Sequence, residues 1–123
     1  MIQDRIETAL AAFARGEMVV VVDDADRENE GDLIMAAQQA TPEAIGFMVR
    51  HTSGLLCVPL LGERLDALEI PLMVSTNSEA LRTAFAVSVD ARSDTTTGIS
   101  AADRATTIRR NYSQRCAGIA TRS

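Results

Sequence analysis

Six carboxylates and one arginine occupy ten consecutive positions, Asp23-Asp24-Ala25-Asp26-Arg27-Glu28-Asn29-Glu30-Gly31-Asp32, directly after the apolar run Met18-Val19-Val20-Val21-Val22. Like charges repel, so a fold does not gather so many acids at a strand end for stability alone. A positive species belongs there, either a divalent metal or a substrate held with metal. Three readings compete. Asp26, Glu28, Glu30 and Gly31 match positions 1, 3, 5 and 6 of an EF-hand calcium loop, but Ala37 stands at position 12 and a strand precedes the loop where a helix is required. A solvated acidic turn without a role is the second reading, weakened by the apolar segments on both sides. The third is a magnesium-assisted site for a phosphorylated sugar. Magnesium takes one or two carboxylates and keeps waters, which leaves room for substrate oxygens. The remaining carboxylates can act as general bases, and Arg27 can neutralise local charge and grip an anionic or hydroxylated substrate.

The flanking sequence predicts how such a loop is held. Residues 2–15 form an amphipathic pattern, with Ile2, Ile6, Leu10 and Phe13 on one stripe and Gly16 as the stop. Glu17 to Asp23 is a β-branched run expected as a strand buried on both faces. Gly31 permits a tight turn before a second strand, Leu33 to Ala37. Thr41-Pro42-Glu43 is a helix start, with a threonine cap, a proline at the first helical position and an acid near the positive end of the dipole. That helix should turn Ile45, Met48 and Val49 inward and end near His51. Leu55 to Leu60 is expected as a strand, Gly62 to Leu68 as one or two helical turns, and Phe85 to Val89 as an alternating strand. Ser93 to Gly98 is a polar loop. Ser100 with Asp103 three residues on is a capping-box variant opening a helix to about Arg110. This order predicts a mixed α/β or α+β layered domain with no repeat and no internal linker.

Composition removes several mechanisms. All 12 basic residues are arginine, so no lysine Schiff base and no lysine-bearing phosphate loop can form. His51 is the single histidine, and a structural role is expected for it over a ligand role. Cys57 and Cys116 offer neither a disulfide framework nor a zinc spacing. A formal net charge of −5 argues against a nucleic-acid surface. Neither a signal peptide nor a transmembrane span is evident, so a reducing, cytoplasmic setting is expected, without a membrane partner. Every acid lies within residues 1–103, whereas residues 104–123 hold Arg104, Arg109, Arg110, Arg115 and Arg122. The plain expectation for that segment is a solvated basic tail.

The run Val21 to Ile34 resembles the signature of the 3,4-dihydroxy-2-butanone-4-phosphate synthase family of riboflavin biosynthesis. Arg50-His51-Thr52-Ser53-Gly54-Leu55-Leu56-Cys57 is similar to its second block. Pro71-Leu72-Met73 and Thr96-Thr97-Gly98-Ile99-Ser100-Ala101-Ala102-Asp103-Arg104-Ala105-Thr106-Thr107 resemble its third and fourth. The resemblance implies a lyase that converts D-ribulose 5-phosphate into L-3,4-dihydroxy-2-butanone 4-phosphate and formate through enolisation, dehydration and skeletal rearrangement. It implies Mg2+ or Mn2+, no organic cofactor, a small sugar-phosphate substrate and a homodimer with its sites near the interface. Carried over residue by residue, Glu28 is the metal ligand, and Arg27, Glu28 and Asp32 bind substrate. Asp23, Glu30 and Cys57 are the catalytic candidates, with acid/base or positioning roles for the two acids. For Cys57 a small buried apolar residue is an equal expectation. The implied fold is α+β, a three-layer αβα sandwich with a mixed sheet.

The family pattern fails after Arg110. Family members are expected to continue for roughly as many residues again, with an Arg-x-Gly-His-Thr-Glu-Ala motif whose histidine is the second metal ligand and whose neighbours hold phosphate. None of this occurs in the 123 residues. The expectation is therefore a truncated synthase domain over 1–110, incomplete at its C-terminus, followed by an unmatched basic tail over 111–123. The rival is a catalytically inactive fragment that at most binds metal or dimerises. Convergence of the acids further predicts at least one raised carboxyl pKa in the loop.

Overall fold

Ten residues after Thr41 fold as the sequence predicts, and they show how the fold is built. Thr41 Oγ1 accepts the Ala44 N–H at 3.1 Å, Pro42 opens the helix, and the element runs Pro42–His51. In the computed structural model, which describes residues 2–74, 84–112 and 119–121, the elements in order are α1 (Ile2–Ala14), β1 (Val19–Val22), β2 (Gly31–Ile34), a 3-10 turn at Ala37–Gln39, α2 (Pro42–His51), α3 (Gly62–Ala67), β3 (Val89–Ala91), α4 (Ala101–Tyr112) and β4 (Ile119–Thr121). The fold is α+β.

α2 and α4 pack together around Ala40, Ile45, Met48 and Ala105, with Met18, Leu33, Met35, Leu56, Ala101 and Ile108 leaning on that core. Ile45 is only 1% exposed, and burying such a side chain contributes about 2 kcal/mol. Arg109 fastens α4 to this core by donating from Nη1 to the Ala40 carbonyl at 2.5 Å. Gly16 ends α1 as expected. At φ +85° it lets its own N–H reach the Phe13 carbonyl and the Glu17 N–H reach the Ala12 carbonyl, a Schellman close.

Several expectations are corrected. The described strands pair only antiparallel, β1 with β2 and β3 with β4, in two separate two-stranded sheets, so these residues do not form the expected mixed sheet. Among the described residues Leu55 to Leu60 joins no ladder; Pro59 within it has no N–H to give. Phe85 to Val89 supplies only a bridge, Leu72 with Ala86, before β3 begins. The second strand ends at Ile34, and its expected end becomes the 3-10 turn. β1 is not buried on both faces: Val20 is 70% and Val22 71% exposed. Among the described residues no further strand lies beside this ribbon, and only its end nearest Met18 and Met35 rests on the core. On α1, Ile6 and Leu10 are exposed and Phe13 half-buried, and Val49 on α2 is exposed. Too little of the described chain packs over these faces to cover them. The Ile2 side chain lies outside the described residues.

The expected solvated tail is also corrected where it is described. Arg104 and Arg109 donate to backbone carbonyls, and Arg110 pairs with Asp94 and Ser93. α4 continues past Arg110 to Tyr112, Asn111 is buried, and β4 pairs with β3. Arg115, Arg122 and Cys116 lie outside the described residues. No helix among the described residues is long and apolar enough to cross a membrane.

Candidate active site

The acidic residues form the connection of the β1–β2 hairpin, and Asp23 is its clip. Register Val22↔Gly31 closes the ladder, and the eight residues between must then fold back on themselves. Asp23 sits at the root. Its Oδ1 accepts the Glu30 N–H and its Oδ2 the Glu28 N–H, both at 2.8 Å. The Arg27 N–H donates to the Asp24 carbonyl at 3.0 Å, and Asn29 takes φ 53°, a left-handed step that asparagine tolerates better than most residues. The Glu30 N–H above all holds the Asp23 carboxyl below the usual carboxylate range. Partial burial works against this, while the Glu28 N–H and the Arg27 charge add to the lowering. Asp23 is therefore not the raised carboxyl expected somewhere in the loop, because the backbone donors stabilise its anion more than desolvation disfavours it.

With the turn fixed through its backbone, the side chains of Arg27, Glu28 and Glu30 are left exposed on the loop, and Asp32 is exposed on β2. Glu28 and Glu30 present carboxylates whose own N–H groups are pinned, which limits where those side chains can start. The structure brings Asp23, Glu28 and Glu30 into one hydrogen-bonded unit. Among the described residues, no three His, Cys, Asp or Glu side chains converge on a common metal position. Magnesium asks for less, one or two carboxylates with waters and substrate oxygens completing the shell. Glu28, an exposed hard-oxygen donor on a fixed turn, fits such a shell as a single anchor.

Cys57 is a free, exposed thiol, so the expectation of a small buried residue is corrected. His51 is exposed at the end of α2 with its ring 4.4 Å from that of Phe47.

Sequence reasoning missed the second piece of built geometry. Ser100 caps α4 by accepting the Asp103 N–H at 3.0 Å, as predicted. The Asp103 carboxylate, however, reaches past the cap to the preceding loop. It accepts the Thr96 N–H at 3.1 Å, the Thr96 hydroxyl at 2.9 Å and the Gly98 N–H at 2.9 Å. Burial pushes this carboxyl up, but the Thr96 hydroxyl, the Gly98 and Thr96 N–H groups and the Ser100 hydroxyl outweigh it and hold it below the usual range. Gly98 has φ +82°, and a Cβ there would lie 2.4 Å from the Asp90 carboxylate. Arg104 donates from Nε to the Ile99 carbonyl at 2.7 Å and from Nη1 to the Gly54 carbonyl at 3.2 Å. The second and fourth sequence blocks are thus tied by one guanidinium. The signal was present, an acid and an arginine just beyond a threonine–glycine loop, but it reads equally as an ordinary helix start.

These features define a class: an α+β domain whose chemistry-bearing residues sit on a carboxylate-rich hairpin, backed by a threonine–glycine loop clamped to a helix start. The chain belongs to the 3,4-dihydroxy-2-butanone 4-phosphate synthase family, whose model matches residues 7–120. It is 65% identical over 105 residues to the 3,4-dihydroxy-2-butanone 4-phosphate synthase of Agrobacterium fabrum, covering 85% of this chain and 49% of that protein. It is 63% identical over 106 residues to the riboflavin biosynthesis protein RibBA of Nocardia farcinica, covering 86% of this chain and 26% of that one. A crystal structure of 3,4-dihydroxy-2-butanone 4-phosphate synthase in complex with two magnesium ions superposes with a TM-score of 0.86 at 52% identity, covering 89% of this chain and 51% of that chain. The chain thus spans about half the length of the Agrobacterium relative and of that solved structure, and about a quarter of the Nocardia protein.

Proposed function

We propose that this chain carries the acidic half of the site that converts D-ribulose 5-phosphate into L-3,4-dihydroxy-2-butanone 4-phosphate and formate, a lyase step of riboflavin biosynthesis. The observation that carries the reading is the Asp23 clip, which fixes the turn from which Glu28 and Glu30 project. Glu28 would hold Mg2+ or Mn2+, and when bound the metal would polarise the substrate carbonyl and stabilise the developing enediolate charge. Arg27 grips the sugar phosphate and balances the surrounding acids. Asp32 accepts hydrogen bonds from substrate hydroxyls. Glu30, exposed and at the edge of the turn, is positioned to take the carbon-bound proton beside the carbonyl. Asp23 has both oxygens occupied by backbone N–H groups, which suits positioning over proton transfer. Cys57, on the segment that Arg104 ties at Gly54, is the remaining catalytic candidate.

No organic cofactor, nucleic acid or membrane enters this reading; the setting is cytoplasmic and the assembly a homodimer. Residues 1–110 carry the family's motifs, and 111–123 form a basic tail in sequence pattern that α4 and β4 join to the rest.

The test is formate release from ribulose 5-phosphate with magnesium, comparing the 123-residue chain with the same chain extended by the remaining half of the Agrobacterium relative. The expected result is turnover in the extended chain that Glu28→Gln abolishes, and little or none in the 123-residue chain. A single carboxylate anchor leaves magnesium weakly held, and a substrate without its phosphate grip loses orientation worth up to roughly 7–11 kcal/mol in favourable cases. Full turnover with Glu28→Gln would remove Glu28 from the mechanism.

A further inference from the structure

α2 ends in a turn built from hydroxyls. Thr52 Oγ1 donates to the Met48 carbonyl at 2.6 Å and accepts the Gly54 N–H at 3.3 Å, and Ser53 Oγ accepts the Leu55 N–H at 3.3 Å. Gly54 sits inside this turn at φ +80°, a left-handed step that glycine takes without steric cost. The N–H groups of the turn are thus met locally. Its Gly54 carbonyl is met from another element, by Arg104 Nη1 on α4 at 3.2 Å, while Nε of the same guanidinium donates to the Ile99 carbonyl at 2.7 Å. Arg104 is half-buried on a helix packed against α2, where a bond from a charged donor is stronger than at an open surface.

The chain that leaves this turn carries Cys57. Burial alternates along it, with Leu56 and Val58 half-buried and Leu55, Cys57 and Pro59 exposed. Leu56 leans on the same core as Leu33, the neighbour of Asp32 on β2, so the Cys57 arm and the acid-bearing strand rest on one base. An apolar contact fixes depth and not direction. The direction in which the arm leaves α2 is set at Gly54, the residue with the most backbone freedom. The two ends of the Arg104 bridge are unequal. Ile99 belongs to a loop that Asp103 also holds through Thr96 and Gly98, so that loop keeps an anchor without Arg104. The Gly54 carbonyl depends on the guanidinium itself.

We infer that Arg104 is a positioning residue for the proposed reaction: by holding the Gly54 carbonyl it sets where the Cys57 arm leaves α2, and so where the thiol stands. The inference rests on the reading of Cys57 as a catalytic candidate. It adds a residue that touches neither metal nor substrate and acts through the backbone three positions before the thiol.

The first experiment uses the 123-residue chain and its amide NMR spectrum. Arg104→Ala should move the Leu55, Leu56 and Cys57 amides and leave those of Thr96 and Gly98 in place. Guanidinium ion, far below denaturing concentration, should restore the arm amides by refilling the site, and ammonium ion at the same concentration should not, because it lacks the planar fork. Arg104→Lys, which keeps the charge and the stem, should move the same arm amides and serves where the alanine variant does not fold. The second experiment measures formate release in the extended chain described above. Arg104→Lys should lower kcat by about tenfold or more while KM for ribulose 5-phosphate changes little, since the arm acts in the reaction and not in gripping substrate. Arm amides unmoved in both variants, loop amides that move as much as the arm, restoration by ammonium as full as by guanidinium, or an unchanged kcat would each overturn the inference. An extended parent that releases no formate counts against the reaction, and the amides then decide whether Arg104 places the arm.

Discussion

The hairpin turn at 23–30 and the loop at 95–98 solve one problem with one device and reach opposite ends. Each is a short irregular segment whose N–H groups would otherwise point nowhere, and in each a single aspartate collects them. Asp23 does so at the surface and leaves its neighbours' carboxylates free. Asp103 does so while 5% exposed, and the loop it gathers has Asp90 pressed against Gly98. The difference shows which segment is scaffold and which is tool. A buried clamp fixes its loop's shape, whereas an exposed clip fixes only the backbone and lets side chains meet a ligand.

The largest expected effect separates the two glycines. Gly98→Ala meets a left-handed φ and the Asp90 carboxylate, and should destabilise the chain by more than about 2 kcal/mol. Gly31→Ala places its Cβ at ordinary contact distance and should stay within about 0.5 kcal/mol in urea unfolding. Equal losses would mean that the hairpin is as tightly specified as the loop.

Acid sharpens the contrast. The folded-state pKa of Asp103 is depressed, so its contribution is present above its unfolded value and fades as pH falls through the folded one. Thermal unfolding of the parent should therefore weaken on the acid side below the usual carboxylate range. Asp103→Asn should lower stability at neutral pH and flatten that acid limb. An acid limb unchanged by the substitution would break the assignment.

Asp23→Asn should do least to global stability, because the clip is exposed. Its amide can accept at one atom only, so one of the Glu28 and Glu30 N–H groups loses its partner. Backbone order parameters for 28–30 should fall while the melting temperature scarcely moves. A large drop in melting temperature would make the two clamps alike.

The sequence made the local devices legible where a residue acts within a turn of itself. The Thr41 cap, Pro42, the Gly16 stop, the Ser100 cap and the valine–acid–glycine hairpin all came out as read. It failed where burial depends on what lies across a gap. Val20, Val22, Ile6 and Leu10 have the pattern of core residues, but pattern gives a face and not the element that covers it. Leu55 to Leu60 has strand composition, yet among the described residues no strand pairs with it. Asp103 was read as a box for its own helix because the alternative, reaching back to Thr96 and Gly98, depends on a loop path that no periodicity encodes. At the candidate site the sequence named the carboxylates but could not rank them. The two oxygens of Asp23 are taken by backbone donors, and those of Glu28 are exposed.

Arg104 reaches fifty positions back along the chain to Gly54, since the guanidinium that holds the Ile99 carbonyl also holds that of Gly54. Its planar fork meets two acceptors at once, which the single ammonium of a lysine does poorly. The segment after α2 and the loop before α4 therefore cannot fray independently. In hydrogen exchange the amides around 53–55 and 96–99 should open with one shared free energy, as a single cooperative unit. Arg104→Lys should split that unit in two, letting the Cys57 arm open without disturbing the threonine–glycine loop.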